Sequence, residues 1–339
     1  MFQENKLVDF IPHPWLAGGH LQTIIGYYLP GSQRLGQTSL RTVNVSDDDA
    51  LVICENHPMH DKPFKGCVLL MHGLGGHADS PYMLRLAALF SEHGWISFRM
   101  NHRGCGEGRG LARRLYHAGR SGDISKVLLK ISELYPDMPS VAIGFSLSGN
   151  ALLKLLGEQR HPVPSNLCGA LAVNPPIDLS MCADALSRKS NLLYEFRFVR
   201  LLKQAIRERQ IDFSDFPKFH FPWKLALRQF DEMCTAPLSG FESAEDYYVK
   251  CSAKRLLSRI SLPTFILASD DDPFVPKETF AHIPNNENLN MKITRGGGHM
   301  GFISADKTPL GNHRWMDYAN LYYAQSLVKH KGQLMTAQG

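Results

Sequence analysis

Three short runs, Val68-Leu69-Leu70-Met71, Val141-Ala142-Ile143 and Phe265-Ile266-Leu267, are apolar at every position. A strand with one wet face alternates polar and apolar residues, so these runs require a sheet covered on both sides, as parallel strands joined by helices are. Around them the sequence predicts eight strands: Ser39–Val45, Ala50–Glu55, Cys67–Met71, Trp95–Met100, Ser140–Gly144, Gly169–Val173, Thr264–Ala268 and Asn290–Arg295. The first two alternate polar and apolar residues around Asp47-Asp48-Asp49 and read as an antiparallel hairpin. Helical periodicity covers Tyr82–His93, Asp123–Leu134, Leu147–Gln159 and Arg314–Lys329. The expectation is an α/β fold with a mostly parallel, doubly wound sheet.

The rhythm breaks between Pro176 and Ile260, where no buried strand is legible and aromatic residues accumulate: Tyr194, Phe196, Phe198, Phe213, Phe216, Phe219, Phe221, Trp223, Phe230, Phe241, Tyr247 and Tyr248. This predicts a helical cap at 176–260 inserted between two parts of the core, 1–175 and 261–339. Aromatic residues serve packing as readily as a pocket, so the pattern alone does not sort them.

Gly144-Phe145-Ser146-Leu147-Ser148 follows one fully apolar strand and opens a helix, the setting of a nucleophile elbow. The sharp turn strains the nucleophile's backbone and demands small neighbours; Gly144 and Ser148 qualify. His72-Gly73-Leu74-Gly75-Gly76 follows the preceding parallel strand and lacks the spacing of a Walker or dinucleotide loop. Its Leu74 amide, with that of Leu147 next to the nucleophile, is the expected oxyanion hole, each donor worth roughly 3 kcal/mol in the transition state. A histidine base is expected on the glycine-rich loop after the last strand, at His299 in Gly296-Gly297-Gly298-His299-Met300-Gly301. The orienting acid belongs just past the seventh strand, where Asp270-Asp271-Asp272 offers candidates; counting from the strand end favours Asp272, with Asp271 the alternative. The chain order Ser146, acid, His299 is that of α/β hydrolases.

Thirty-seven Lys and Arg against 32 Asp and Glu leave a charge of +5 without a concentrated basic patch, so no nucleic-acid partner is expected. Seven cysteines form no C-x-x-C pair and read as buried thiols rather than disulfides or zinc ligands. Without an H-E-x-x-H arrangement no metal is expected, and without a nucleotide loop no cofactor. Met1 to Lys6 leads into no signal-like apolar run, and nowhere do 18 apolar residues follow one another, so a cytoplasmic protein with no integral membrane segment is expected.

With these residues in place, the chain resembles the YheT-like branch of the α/β-hydrolase superfamily, the AB hydrolase 4 family. The resemblance rests on His20-Leu21-Gln22-Thr23, His72-Gly73-Leu74-Gly75-Gly76, Asn101-His102-Arg103-Gly104-Cys105-Gly106, Tyr116-His117-Ala118-Gly119, Gly144-Phe145-Ser146-Leu147, Asp246-Tyr247-Tyr248, Cys251-Ser252-Ala253, Asp271-Asp272-Pro273-Phe274 and Gly297-Gly298-His299-Met300-Gly301-Phe302. It implies a charge-relay system at Ser146, Asp272 (or Asp271) and His299. Two positions depart from the family pattern: Ser148 replaces a usual glycine, and His102 replaces a frequent aromatic. The roles of His102, Arg103 and His117 are open; Arg103 is expected to pair with a carboxylate rather than touch substrate. Together these readings predict a serine esterase acting on short- to medium-chain acyl esters, with acyl transfer to an alcohol as the close alternative and a non-catalytic binding module as the distant one. Peptides and charged acyl groups are expected to be poor substrates.

Overall fold

The computed structural model describes residues 7–29, 31, 34–59 and 64–338, with side chains to residue 333. The stretch Met1 to Lys6 lies outside the described residues. Eight strands, β1 (Thr38–Asn44), β2 (Ala50–Asn56), β3 (Gly66–Met71), β4 (Trp95–Asn101), β5 (Ser140–Phe145), β6 (Leu167–Val173), β7 (Thr264–Ser269) and β8 (Leu289–Thr294), form one sheet in the order β1-β2-β4-β3-β5-β6-β7-β8. β1 pairs antiparallel with β2, and β2 with β4; every other pairing is parallel.

The fully apolar strands are apolar because both faces are covered. Leu69 and Met71 of β3 point into one core cluster, shared with Ile124, Val127 and Leu152, while Val68 and Leu70 point into the other, shared with Met83, Phe90 and Trp315. The first side is covered by α3 (Ser121–Leu134) and α4 (Leu147–Glu158), the second by α2 (Pro81–Glu92) and α10 (Trp315–Gln338). A further helix, α1 (Gly19–Tyr28), precedes the sheet. β1 forms one sheet edge and is mostly exposed, whereas β2, expected to alternate, lies between β1 and β4 and is buried along 51–56 because both its faces are covered. All seven cysteines are free, six of them buried.

Between β6 and β7 the chain has no strand and carries the helices α5 (Leu179–Leu186), α6 (Leu192–Asp212), α7 (Leu227–Phe230), a π segment (Asp231–Thr235), α8 (Ala236–Ser239) and α9 (Ala244–Cys251), with an irregular stretch at 213–226. Its aromatic residues divide. Phe216 and Phe230 are buried with Phe213, Phe219 and Phe221 in a cluster of their own, whereas Phe196 and Trp223 are 60% and 88% exposed. Tyr194, Phe198, Tyr247 and Tyr248 line pockets at the carboxyl edge of the sheet. No helix among the described residues is long and apolar enough to cross a membrane.

Candidate active site

Ser146 stands between the last residue of β5 and the first of α4 with φ 51° and ψ −119°, a conformation side chains rarely take. Its own amide donates to the Val173 carbonyl at 2.8 Å, which pins the turn to β6. The turn closes only because of glycines: a Cβ at Gly144 would lie 2.6 Å from the Ser148 carbonyl oxygen, and one at Gly73 3.0 Å from the Ser146 Cβ.

His299 reaches this serine from the loop after β8. Its Nε2 lies 3.0 Å from Ser146 Oγ, and its Nδ1 lies 2.7 Å from Asp272 Oδ2. Asp272 is nearly buried and fully engaged: Oδ2 also accepts from Asn174 Nδ2 at 2.7 Å, and Oδ1 accepts from the amides of Phe274 and Val275 at 2.8 and 3.0 Å. Its neighbours serve the same loop through its backbone. Asp270 accepts from the Gly296 amide at 2.7 Å and Asp271 from the Gly298 amide at 2.8 Å. Burial raises the Asp271 pKa above the usual carboxylate value, and its carboxyl makes no recorded bond to the imidazole. The order Ser146–His299–Asp272 can pass a proton from a hydroxyl to an imidazole held in one tautomer by a carboxylate.

Above the serine, the β3 loop leaves one amide open. Gly73 donates to Tyr82 Oη at 3.0 Å and Gly75 to Tyr116 Oη at 2.8 Å, while among the described residues the amides of Leu74 and Leu147 have no recorded acceptor. Two such donors beside a serine can receive a developing oxyanion.

Three positioning contacts have no counterpart in the motif reading. Thr23 of α1 accepts the His299 amide at 2.8 Å while donating to the Gly19 carbonyl at 2.6 Å. Gln22 clamps Ile303, accepting from its amide at 2.8 Å and donating to its carbonyl at 3.1 Å. Asn174, just past β6 with φ 45°, bonds Asp272 and also takes the Met300 amide at 3.3 Å. For Gln22 and Thr23 a signal lies in the His20-Leu21-Gln22-Thr23 block of the resemblance, without a role attached; Asn174 lies in none of the quoted blocks. Gly26 and Gly301 permit the close approach of α1, since a Cβ on Gly26 would sit 2.4 Å from the Gly301 Cα.

The three unassigned residues separate. Arg103 is buried between Asp49 and Asp123, with Nε and Nη2 each 2.6 Å from an Asp123 oxygen, so it holds the β4 loop as expected. His102 is buried beneath the elbow, and His117 lines a pocket. Burial holds His102 at a pKa of about 4 and His117 well below the usual imidazole range, so both are neutral.

Two pockets meet at Ser146. The outer one, of about 160 Å³, is lined by α1 residues including Tyr27 and Tyr28, and by Tyr194, Arg197 and His299. The inner one, of about 90 Å³, runs beneath α5 and the π segment along Leu179, Leu186, Leu227, Asp231 and Tyr248. Leu74, Phe198 and Phe274 border both. Among the described residues no cluster of three or more His, Cys, Asp or Glu side chains is arranged to hold a metal ion.

This sheet, with a serine elbow at its carboxyl edge, defines an α/β hydrolase. Residues 62–304 match the Hydrolase_4 family, described as serine aminopeptidase S33, and the chain belongs to that family. It is 29% identical over 331 residues to the putative esterase YheT of Escherichia coli K12, covering 92% of each chain. It is 27% identical over 283 residues to phospholipase ABHD3 of Mus musculus, covering 81% of this chain and 67% of that one. Among solved structures, 2,6-dihydroxy-pseudo-oxynicotine hydrolase superposes with a TM-score of 0.55 at 17% identity, over 91% of this chain and 72% of that one, a likeness of fold. The protein is a hydrolase of the α/β-hydrolase superfamily.

Proposed function

We propose that the protein is a serine esterase that hydrolyses short- to medium-chain carboxylic esters. The reading rests on one observation: Ser146 Oγ, His299 and Asp272 are joined by contacts of 3.0 and 2.7 Å at the point where two pockets meet. His299 Nε2 takes the Ser146 proton as Oγ attacks the acyl carbon, and the amides of Leu74 and Leu147 receive the negative charge on the former carbonyl oxygen. The collapsing intermediate expels the alcohol, which takes its proton from His299; water then enters by the same route and frees the acid. Asp272 keeps the imidazole in the Nδ1–H tautomer throughout. The helices of 176–260 act as a cap whose apolar walls bind the acyl chain, each buried methylene adding roughly 0.8 kcal/mol.

The test is a series of aryl esters with one leaving group and acyl chains from acetate upward, on the protein and on Ser146→Ala. kcat/KM should climb to a short- or medium-chain optimum and then fall, and Ser146→Ala should be inactive toward all of them. A steady decline from acetate would remove the acyl pocket from the reading; full activity in Ser146→Ala would remove the nucleophile.

A further inference from the structure

The inner pocket holds a carboxylate for which the hydrolytic steps have no use. Asp231 is 6% exposed and lines the same cavity as Ser146. It opens the π segment, a helical irregularity that is rare and, where it occurs, frequently at a functional site. Its Oδ1 accepts from Thr235 Oγ1 at 2.6 Å and its Oδ2 from Tyr248 Oη at 2.7 Å. A carboxylate has about four acceptor positions, so these two bonds leave it half satisfied. Among the described residues no Lys or Arg donates to it: the nearby Arg228 spends its guanidinium on Asp184, Glu245 and Ser180, with its face 4.9 Å over the Tyr248 ring. Burial raises the Asp231 pKa to about 6, the direction expected of an acid without a cationic partner. The apolar pocket expected from the aromatic-rich insertion therefore has one acidic wall.

The two pockets are not equivalent toward the reaction. His299, which returns a proton to the departing alcohol, lines the outer pocket and not the inner one. The leaving group accordingly belongs on the outer side, and the acyl chain in the inner pocket, past Leu147 and toward Leu179, Leu186 and Leu227.

We infer that the inner pocket is the acyl subsite, and that Asp231 is a specificity-determining residue in it which selects acyl chains carrying a hydrogen-bond donor, a hydroxyl or an ammonium, beyond an apolar stretch. The inference rests on the esterase reading. A methyl group brought to this wall covers the free lone pairs of a carboxylate and leaves them unpaired, whereas a donor completes them, and sites built to pair a substrate group discriminate strongly against the analogue that lacks it.

The experiment compares aryl esters of one leaving group whose acyl chains, of roughly four to ten carbons, end in a methyl, a hydroxyl or an ammonium. The protein, Asp231→Asn and Asp231→Leu are assayed after thermal denaturation has established that each variant folds. At the length that spans the pocket, the hydroxyl or ammonium ester should exceed its methyl counterpart in kcat/KM by about tenfold or more, and which of the two wins identifies the donor. Asp231→Leu should lose that preference while still cleaving the methyl-ended ester, and Asp231→Asn, which keeps an acceptor but no charge, should lose a preference for the ammonium; a merely structural role would slow all three alike. The inference is overturned if the protein prefers the methyl end at every length, or if the preference survives in Asp231→Leu. Should neither variant fold, the comparison on the unaltered protein decides. Absence of turnover on every ester would instead overturn the esterase reading, and this inference with it.

Discussion

His102 Nε2 lies 2.6 Å from Ser148 Oγ, so the two positions at which this chain departs from its family's pattern are in contact with each other. Ser148 donates its hydroxyl proton to the His72 carbonyl, which makes it the acceptor of an Nε2–H on His102. His102 in turn donates its amide to His72 Nε2 at 3.3 Å and stacks on the Tyr116 ring at 5.2 Å. A hydroxyl where glycine is usual thus has a partner that an aromatic residue could not supply, and the pair ties the loop after β4 to the elbow and to the β3 loop that carries Leu74. Without Ser148, His102 Nε2–H would be a buried donor in want of an acceptor, whereas Ser148 without His102 keeps its bond to His72. Ser148→Gly and His102→Phe should each destabilise by about 1–3 kcal/mol, and the double variant by less than their sum. Urea denaturation of the four proteins gives the coupling; strict additivity would mean that the contact has no energetic weight.

The three consecutive aspartates should differ sharply under substitution. Asp272→Asn replaces the acceptor of the His299 Nδ1–H by an amide that favours the wrong tautomer, and kcat should fall on the order of 10⁴-fold. Asp271→Asn keeps an acceptor for the Gly298 amide and should change kcat little. Steady-state kinetics on a single aryl ester separates them, and the reverse ranking would make Asp271 the acid.

Thr23 acts on His299 through the backbone, so its loss should appear in turnover rather than in binding. Thr23→Val removes the acceptor of the His299 amide, and small misplacements of a catalytic group cost up to about 100-fold. kcat should drop by roughly tenfold or more with KM nearly unchanged, and Thr23→Ser, which retains the oxygen, should restore it. A loss confined to KM would place Thr23 in substrate binding instead.

Acid should destabilise the fold through its buried imidazoles. Burial lowers the pKa of His72 and His117 well below the usual imidazole value, and that of His102 to about 4. Below the unfolded value of about 6.5 the unfolded chain binds protons that the folded one does not, so stability present at neutral pH is lost as pH falls from about 6.5 toward 4, by up to about 1.4 kcal/mol per pH unit for each histidine. The Tm should decline over that window, and His102→Gln should shallow the slope. An unchanged slope in that variant would mean that His102 is protonated in the folded protein.

The inner strands were readable from the chain because a strand covered on both faces has no choice but to be largely apolar, whereas the edge strands β1 and β8 keep exposed polar positions. Ser146 and His299 were readable for a related reason: their turns admit only glycine or small residues at Gly73, Gly144 and Gly298, and such residues mark the sequence. Among the three aspartates the strand-end count favoured Asp272 but left Asp271 open, since they are chemically identical, and what distinguishes them is which point of the Gly296–His299 loop each one reaches. The fate of the aromatics was not readable, because Phe198 against a pocket and Phe230 inside a cluster satisfy the same periodicity. Sequence by itself determined the sheet, the elbow at Ser146 and the glycine-rich loop of His299, which follow from local sterics and from burial pattern. Only the tertiary structure decided that Thr23 and Asn174 hold His299 and Asp272, that Arg103 closes a buried ion pair, and that Asp231 lines the same cavity as Ser146. Those relations join residues far apart in the chain, and nothing in a residue's neighbours records what will be folded against it.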